Sequence, residues 1–194
     1  MGRAQELFDQ ATGYYDHAVG LIRKMDELFQ NAAFKNDPGR RYDPRLTLAQ
    51  FDMILQASLL SVAVSDGRFD PLEQQFVDKI TDYGDLPGYI RGETQGKLDL
   101  SWGEMAALSR DNQRLLVEVL PTILDRLCDD FVRPLALVDQ AVLRAQGLKQ
   151  IIQDVARICA CLSQVDGVNQ ERERAACIQM VNELLGKRWE RYMS

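Results

Sequence analysis

The stretch Ser65–Glu73, with the sequence SDGRFDPLE, decides the fold because its skeleton returns one hundred residues later in Val165–Glu173, VDGVNQERE. In both copies an Asp-Gly pair is followed, after five intervening residues, by a glutamate. A small and apolar run precedes each copy, and a second apolar run follows it. The pattern predicts two hairpins, each made of a helix, a tight acidic turn and a second helix, that are related as an internal repeat.

The first copy contains the signals that end one helix and begin the next. Gly67 is placed to take the left-handed conformation, which ends a helix without a Cβ clash. Asp70 suits the N-cap of the next helix and Pro71 its first position. Glu73 then lies third in the helix, where its charge favours the positive end of the helix dipole. Glu173 has the same place in the second copy, so helix capping explains both glutamates.

The two turn aspartates are harder to explain by capping. Asp66 and Asp166 are each expected at the C-terminal end of a helix, where the helix dipole disfavours an anion. Backbone N–H groups, a basic neighbour or a cation would have to compensate. If the two turns meet, four carboxylates converge, those of Asp66, Glu73, Asp166 and Glu173. A site of oxygen ligands alone favours calcium or magnesium over zinc, and purely structural capping is the alternative.

An EF-hand is excluded by the residues that precede each turn. The spacing from Asp66 through Gly67 to Glu73 matches the second half of an EF-hand loop, in which the glycine is the sixth residue and the glutamate the twelfth. The first-half ligand positions of this copy are Val62 and Val64, and apolar side chains do not coordinate calcium. A cation site would therefore draw its other ligands from elsewhere in the chain.

A long amphipathic helix is predicted at the N-terminus, from Gln5 to about Ala32. Apolar and aromatic side chains recur there at alternating spacings of four and three, at Leu7, Ala11, Tyr14, Ala18, Leu21, Met25 and Leu28. Gly13 and Gly20 thin one flank, where a neighbouring element is expected to approach closely. The stripe is wide enough to pack on the chain's own later helices, and a homodimer through this helix is the alternative.

The remaining segments complete an all-α protein of about seven helices in one domain, residues 1–194. The N-terminal helix occupies residues 1–33, and the core occupies residues 47–186 with repeats near 48–83 and 148–186. Thr47–Gln50 has the form of a capping box and predicts a helix start, whereas Gly147 predicts a break in a later helix. No segment combines the period-two pattern of a strand with turn residues.

Composition and charge narrow the class of partner. The hydrophobic share of 46% and the charged share of 27% are ordinary for a soluble globular protein. A net charge of −6 argues against binding nucleic acid through its phosphates. No apolar run approaches the roughly 18 residues that a membrane-spanning helix needs, and the N-terminus lacks a signal core. We therefore expect a cytoplasmic protein with a protein partner.

The cysteines and the single histidine give little support for catalysis. Four cysteines lie in predicted helices without Cys-x-x-Cys spacing, and they are expected to be buried free thiols, namely Cys128, Cys159, Cys161 and Cys177. His17 is the only histidine, so a histidine-based triad or a histidine-rich metal site is nearly excluded. As an exposed residue on a long helix, His17 is expected to have no role.

The paired hairpins with their Asp-Gly turns resemble the TerB family of tellurite-resistance proteins and the related N-terminal domain of DjlA-type co-chaperones. Ser65–Glu73 carries most of the resemblance, with an apolar residue three positions after the aspartate. In the second copy that position is Asn169, and the apolar residue, Val168, comes one position earlier. The resemblance covers roughly residues 47–186. It implies a TerB-like helical bundle, divalent-cation binding by the turn acids and an association with stress or tellurite resistance, with no catalytic reaction.

Two other functions compete with this reading of the sequence. The first is a helical scaffold or dimer in which the acidic turns are purely structural. The second is a hydrolase or transferase that uses paired carboxylates, and it is disfavoured because no nucleophile, base and orienting group cluster in the sequence. We therefore predict a non-enzymatic protein.

Overall fold

The computed structural model describes residues 2–31, 44–65, 67, 69–84, 138–167 and 171–179. Their regular structure is entirely helical and comprises α1 (Arg3–Asn31), α2 (Pro44–Ala63), α3 (Pro71–Tyr83), α4 (Val138–Leu162) and α5 (171–179). The all-α class is confirmed. Residues 85–137 and 180–194 lie outside the described residues, so the seven-helix TerB-like arrangement stays a prediction. No described helix has both the length and the apolar content that crossing a membrane requires.

The N-terminal helix packs on the chain's own later helices, most extensively on α4 and less on α3 and α2. Its buried side chains are those of Leu7, Ala11, Tyr15, Ala18, Val19 and Ile22. The expected stripe is thus confirmed in position but is rotated slightly, because Tyr14 and Leu21 are only partly buried against the core. A homodimer through α1 stays a prediction.

The second half of helix α2 is nearly all buried. Residues 54–59 are buried without interruption, which is typical of a helix covered on every side. The helix begins at Pro44, so the prediction that Thr47 caps its N-terminus is wrong. Proline at a first helical position has no N–H to leave unsatisfied, and its fixed φ suits the first turn.

Both acidic turns use a glycine in the left-handed region, as predicted for Gly67. The φ angle is 86° at Gly67 and 75° at Gly167. The start of α3 also follows the prediction, because the backbone N–H of Leu72 donates to the side chain of Asp70 at 2.8 Å. The backbone N–H of Asp70 in turn donates to Glu73 Oε2 at 2.8 Å, which completes a capping box.

Helix α4 runs without interruption through Gly147, so the predicted break is wrong. Its inner face consists of Ile151, Ile152, Val155, Ile158, Cys159 and Leu162. Cys159, Cys161 and Cys177 are buried free thiols, as predicted, and Cys128 lies outside the described residues. The core is therefore a single apolar cluster shared by the five helices.

Candidate functional site

An open groove of about 450 Å³ runs between α1 and α4. Its lining consists of Asp9, Gln10, Gly13, Tyr14, His17, Asp154 and Arg157. The five residues from α1 recur at helical spacing, so they share one face of that helix. The groove therefore lies where the polar edge of α1 meets the edge of the apolar face of α4.

Asp154 lies at the base of the groove and is fully buried. Its Oδ2 atom is 2.6 Å from Nδ1 of His17, and its Oδ1 atom accepts a hydrogen bond from Nη1 of Arg157 at 3.0 Å. A buried carboxylate costs several kcal/mol unless it is paired and hydrogen-bonded. The two partners, one on each helix, account for its burial and connect α1 to α4.

The partners of Asp154 are themselves accessible. The side chain of His17 is 52% exposed and that of Arg157 is 54% exposed. Because a carboxylate only accepts, the hydrogen between His17 and Asp154 belongs to Nδ1, and Nε2 is the nitrogen left for another molecule. Arg157 has five N–H donors, of which one binds Asp154. Asp154 thus orients two polar groups that solvent can reach.

The groove also has an aromatic wall and a second acid. Cζ of Arg157 lies 5.4 Å from the centroid of the Tyr14 ring, a cation–π contact that restrains the guanidinium group. Asp9 lies two helical turns before His17, about 12 Å along the axis at the rise of an α-helix. Its Oδ1 atom accepts a hydrogen bond from Nε2 of Gln5 at 2.7 Å. Asp9 and His17 therefore lie at different ends of the groove, with Tyr14 and the Arg157 guanidinium group between them.

The four acids predicted to bind a cation are placed as follows. Glu73 and Glu173 are buried, with 2% and 1% exposure, Asp166 is partly exposed, and Asp66 lies outside the described residues. Within the described ranges, no three His, Cys, Asp or Glu side chains are grouped so as to hold a metal ion. The capping role of Glu73 is confirmed, and the four-carboxylate site stays a prediction.

The expectation that His17 has no role is wrong, because the histidine pairs with a buried acid 137 residues away in the chain. One signal in the sequence could have indicated this pair. Asp154 lies on the apolar face of α4, three residues after Ile151 and four before Ile158. An acid at such a position needs a cationic or hydrogen-bonding partner from another element.

Besides Asp154 on α4, the acid Asp52 on α2 is also partly removed from solvent. Burial raises the pKa of Asp52 to about 7, and its Oδ1 atom has no hydrogen-bond partner among the described residues. The pKa of Tyr15 is raised above its usual range by burial and then by the charge of Asp52. Tyr15 donates a hydrogen bond to the carbonyl oxygen of Gly84 at 3.3 Å. Tyr15 lies in the core and Asp52 is partly buried, and neither residue lines the groove.

Comparison with protein-family models, with curated proteins and with solved structures finds no match to this chain. The groove residues themselves provide an oriented imidazole, an oriented guanidinium group, an aromatic wall and an acid. Serine, threonine and cysteine are not among the lining residues that the structure describes. The groups that line the groove can form hydrogen bonds, ion pairs and ring contacts with a ligand.

Proposed function

We propose that this chain is a non-enzymatic, TerB-like helical protein that binds a ligand in the groove between α1 and α4. One observation carries the proposal: a fully buried carboxylate, that of Asp154, orients two half-exposed side chains on opposite walls of a groove. Because these side chains are oriented in advance, they lose less conformational entropy when a ligand binds. The link to stress or tellurite resistance is part of the proposal and rests on the resemblance of the acidic turns.

Binding is favoured over catalysis by the composition of the groove. A histidine held by an acid resembles a general base, and covalent catalysis would also need a side-chain nucleophile within hydrogen-bond reach of it. The described lining offers no serine, threonine or cysteine for that purpose. Arg157 shares the same carboxylate, so Asp154 serves as an anchor for two recognition groups.

The chain has one histidine, so the ring signals of His17 in an NMR spectrum need no assignment. We suggest adding phosphate, phenyl phosphate, benzoate, benzamide and benzylamine one at a time while these signals are followed. At least one compound is expected to shift them saturably. If none does so in the wild-type chain, the proposed ligand site is wrong.

Two glycines on α1 provide a groove-filling variant and its control. A Cβ atom at Gly13 or at Gly20 meets no other atom within 4 Å, and only Gly13 lines the groove. Gly13→Leu is therefore expected to fill the groove and abolish the shift without disturbing the core. Gly20→Leu changes the same helix in the same way and should leave binding intact. Equal binding by both variants would place the ligand elsewhere.

Divalent-cation binding by the acidic turns is a second candidate function. It is favoured by the equivalent burial of Glu73 and Glu173 behind two glycines of the same conformation. Calorimetric and thermal titrations with calcium, magnesium and manganese test it, with an Asp66→Ala, Asp166→Ala double variant as the comparison. Absence of heat, together with a melting temperature that the metals leave unchanged, would remove this candidate and leave the turns structural.

A further inference from the structure

We infer that the groove recognises an oxyanion, a carboxylate or phosphate group, through Arg157 and His17. The inference rests on the proposed function, since it names the chemistry of the ligand that the same groove would bind. It follows from the donors that the groove presents, from the partner that restrains them, and from the charge beside them.

The donors of Arg157 suit an anion with two oxygen atoms. A guanidinium group presents parallel N–H donors whose spacing matches carboxylate and phosphate oxygens. The bond from Nη1 to Asp154 and the Tyr14 ring together restrain the position of this group. Its remaining donors are accessible, because the side chain is 54% exposed. The fork is thus oriented before any ligand arrives.

The second contact comes from Nε2 of His17. With Nδ1 held by Asp154, a protonated ring donates from Nε2 to the anion, and a neutral ring accepts a hydrogen from a protonated phosphate oxygen. The protonated ring can therefore contact a carboxylate or a phosphate, whereas the neutral ring suits only a phosphate that carries a proton. Asp154 balances one positive charge of the pair, and the ligand would balance the other when the ring is protonated.

A metal ion fits the same groove poorly. A histidine whose other nitrogen binds a carboxylate resembles a metal ligand with its usual supporting acid. Here, however, the Arg157 guanidinium group binds the same carboxylate and would repel a cation at Nε2. No third or further ligand of the His, Cys, Asp or Glu type is grouped there in the part of the chain that the structure describes.

Asp9 opposes an anion least at the His17 end of the groove. Asp9 lies about 12 Å from His17 along the helix axis, which exceeds the screening length of roughly 8 Å at physiological salt. Oδ1 of Asp9 accepts a hydrogen bond from the side-chain amide of Gln5. Repulsion by Asp9 is therefore smallest on the His17 side of Arg157, where an oxyanion would contact both donors.

The test is a titration with sodium phosphate, phenyl phosphate, acetate and benzoate at constant ionic strength, followed through the His17 ring signals. We expect saturable shifts that sodium chloride does not reproduce. Comparing the affinities of the two phosphates with those of the two carboxylates identifies which oxyanion the groove prefers. A shift that is linear in concentration, or equal in chloride, would mean adventitious ion contact and would overturn the inference.

A pair of arginine substitutions identifies the binding group. Arg157→Gln is expected to weaken binding roughly ten-fold or more, the loss typical of a charged hydrogen-bond donor. Arg174→Gln removes an exposed arginine of α5 that does not line the groove, and it should leave the affinity unchanged. Equal weakening by both substitutions would overturn the inference by reducing it to general electrostatic attraction.

The outcomes separate the inference from the proposed function. One outcome is that benzamide or benzylamine binds saturably, that Gly13→Leu abolishes this binding, and that no anion binds. This outcome would overturn the oxyanion inference but support the proposed ligand site. Lack of binding by every compound would remove both. Anion binding that survives Arg157→Gln undiminished would overturn the role of Arg157 and with it the inference.

Discussion

Each oxygen atom of the Asp154 carboxylate has one hydrogen-bond partner. The partners are His17 and Arg157, whose side chains reach solvent. The buried charge is compensated by two hydrogen bonds, one from a residue of α1 and one from a residue of α4. The same two contacts stabilise the fold and orient the groove. Residue-scale substitutions therefore report on the fold and on the groove together.

We expect Asp154→Asn to lower the free energy of unfolding by about 1–3 kcal/mol, the cost of disturbing buried charged hydrogen bonds. The amide keeps the size of the side chain but replaces one acceptor by a donor that faces a cationic partner. Urea unfolding measures the loss, with Asp78→Asn on α3 as a partly exposed control. Equal losses in the two variants would contradict the role given to Asp154.

Asp52 predicts a pH-dependent stability. Its pKa in the folded state is raised from 3.8 to about 7 by burial, so the folded state holds its proton more tightly than the unfolded state does. The stabilising contribution of the protonated form is complete below about pH 4 and is lost as the pH rises to about 7.

The Asp52→Asn variant should match the wild type in stability near pH 4 and exceed it by about 1–3 kcal/mol at pH 8, a range reduced for partial solvent screening. Urea unfolding of both proteins at several pH values between 4 and 8 measures the difference. A difference that does not change with pH would show that Asp52 ionises as it does in the unfolded chain.

At the scale of elements, the helices and the turns between them use glycine in opposite ways. Gly20 lies within α1, where glycine lowers helix stability. Gly167 lies in the second acidic turn at a φ of 75°, where glycine is favoured over every residue with a Cβ atom. A Cβ atom at either position meets no atom within 4 Å, so the two positions differ in backbone conformation and not in space.

We expect Gly20→Ala to stabilise the protein by about 0.5–1 kcal/mol and Gly167→Ala to destabilise it by about 1–2 kcal/mol. The opposite signs follow from the backbone alone. Thermal or urea unfolding of the two variants measures both effects. Effects of the same sign would contradict the left-handed conformation of the turn or the open surroundings of Gly20.

The elements that could be predicted from the sequence are those that local chemistry determines. The periodic stripe on α1 and the capping residues of α3 act within a few residues of one another, so their pattern is complete in the sequence. The start of α2 was misplaced because Pro44 and Thr47 each suit a helix start, and local preference alone did not choose between them. The unbroken course of α4 through buried Gly147 shows tertiary packing overriding helix propensity.

At the scale of the whole molecule, the groove could not be predicted in this way. His17 and Asp154 meet only because α1 packs along α4, and their separation in sequence hides the pair. The buried thiols could be predicted, because a cysteine among aliphatic residues on a helix face enters the core wherever that face packs. The sequence does not show which helix each apolar face contacts.

The buried thiols also predict how the whole molecule reacts with thiol reagents. Burial raises the pKa of Cys159 well above its usual value, with smaller contributions from Cys177 and Cys161, and burial raises that of Cys161 to about 11. Thiolates are the reactive form, so these cysteines should react only when the protein opens. In a Cys128→Ser background, modification by a disulfide reagent should be slow in buffer and fast in urea. Rapid modification of any of the three in buffer would contradict this expectation.

The packing of α1 on α4 has a consequence for synthesis. The chain between His17 and Asp154 takes roughly 7–27 s to synthesise at typical translation rates of about 5–20 residues per second. During that time the apolar side chains of α1 have left the ribosome without the helix that covers them most extensively. The stripe of α1 is thus fully covered only after α4 has been made, and until then its uncovered part is a surface on which chaperones can act.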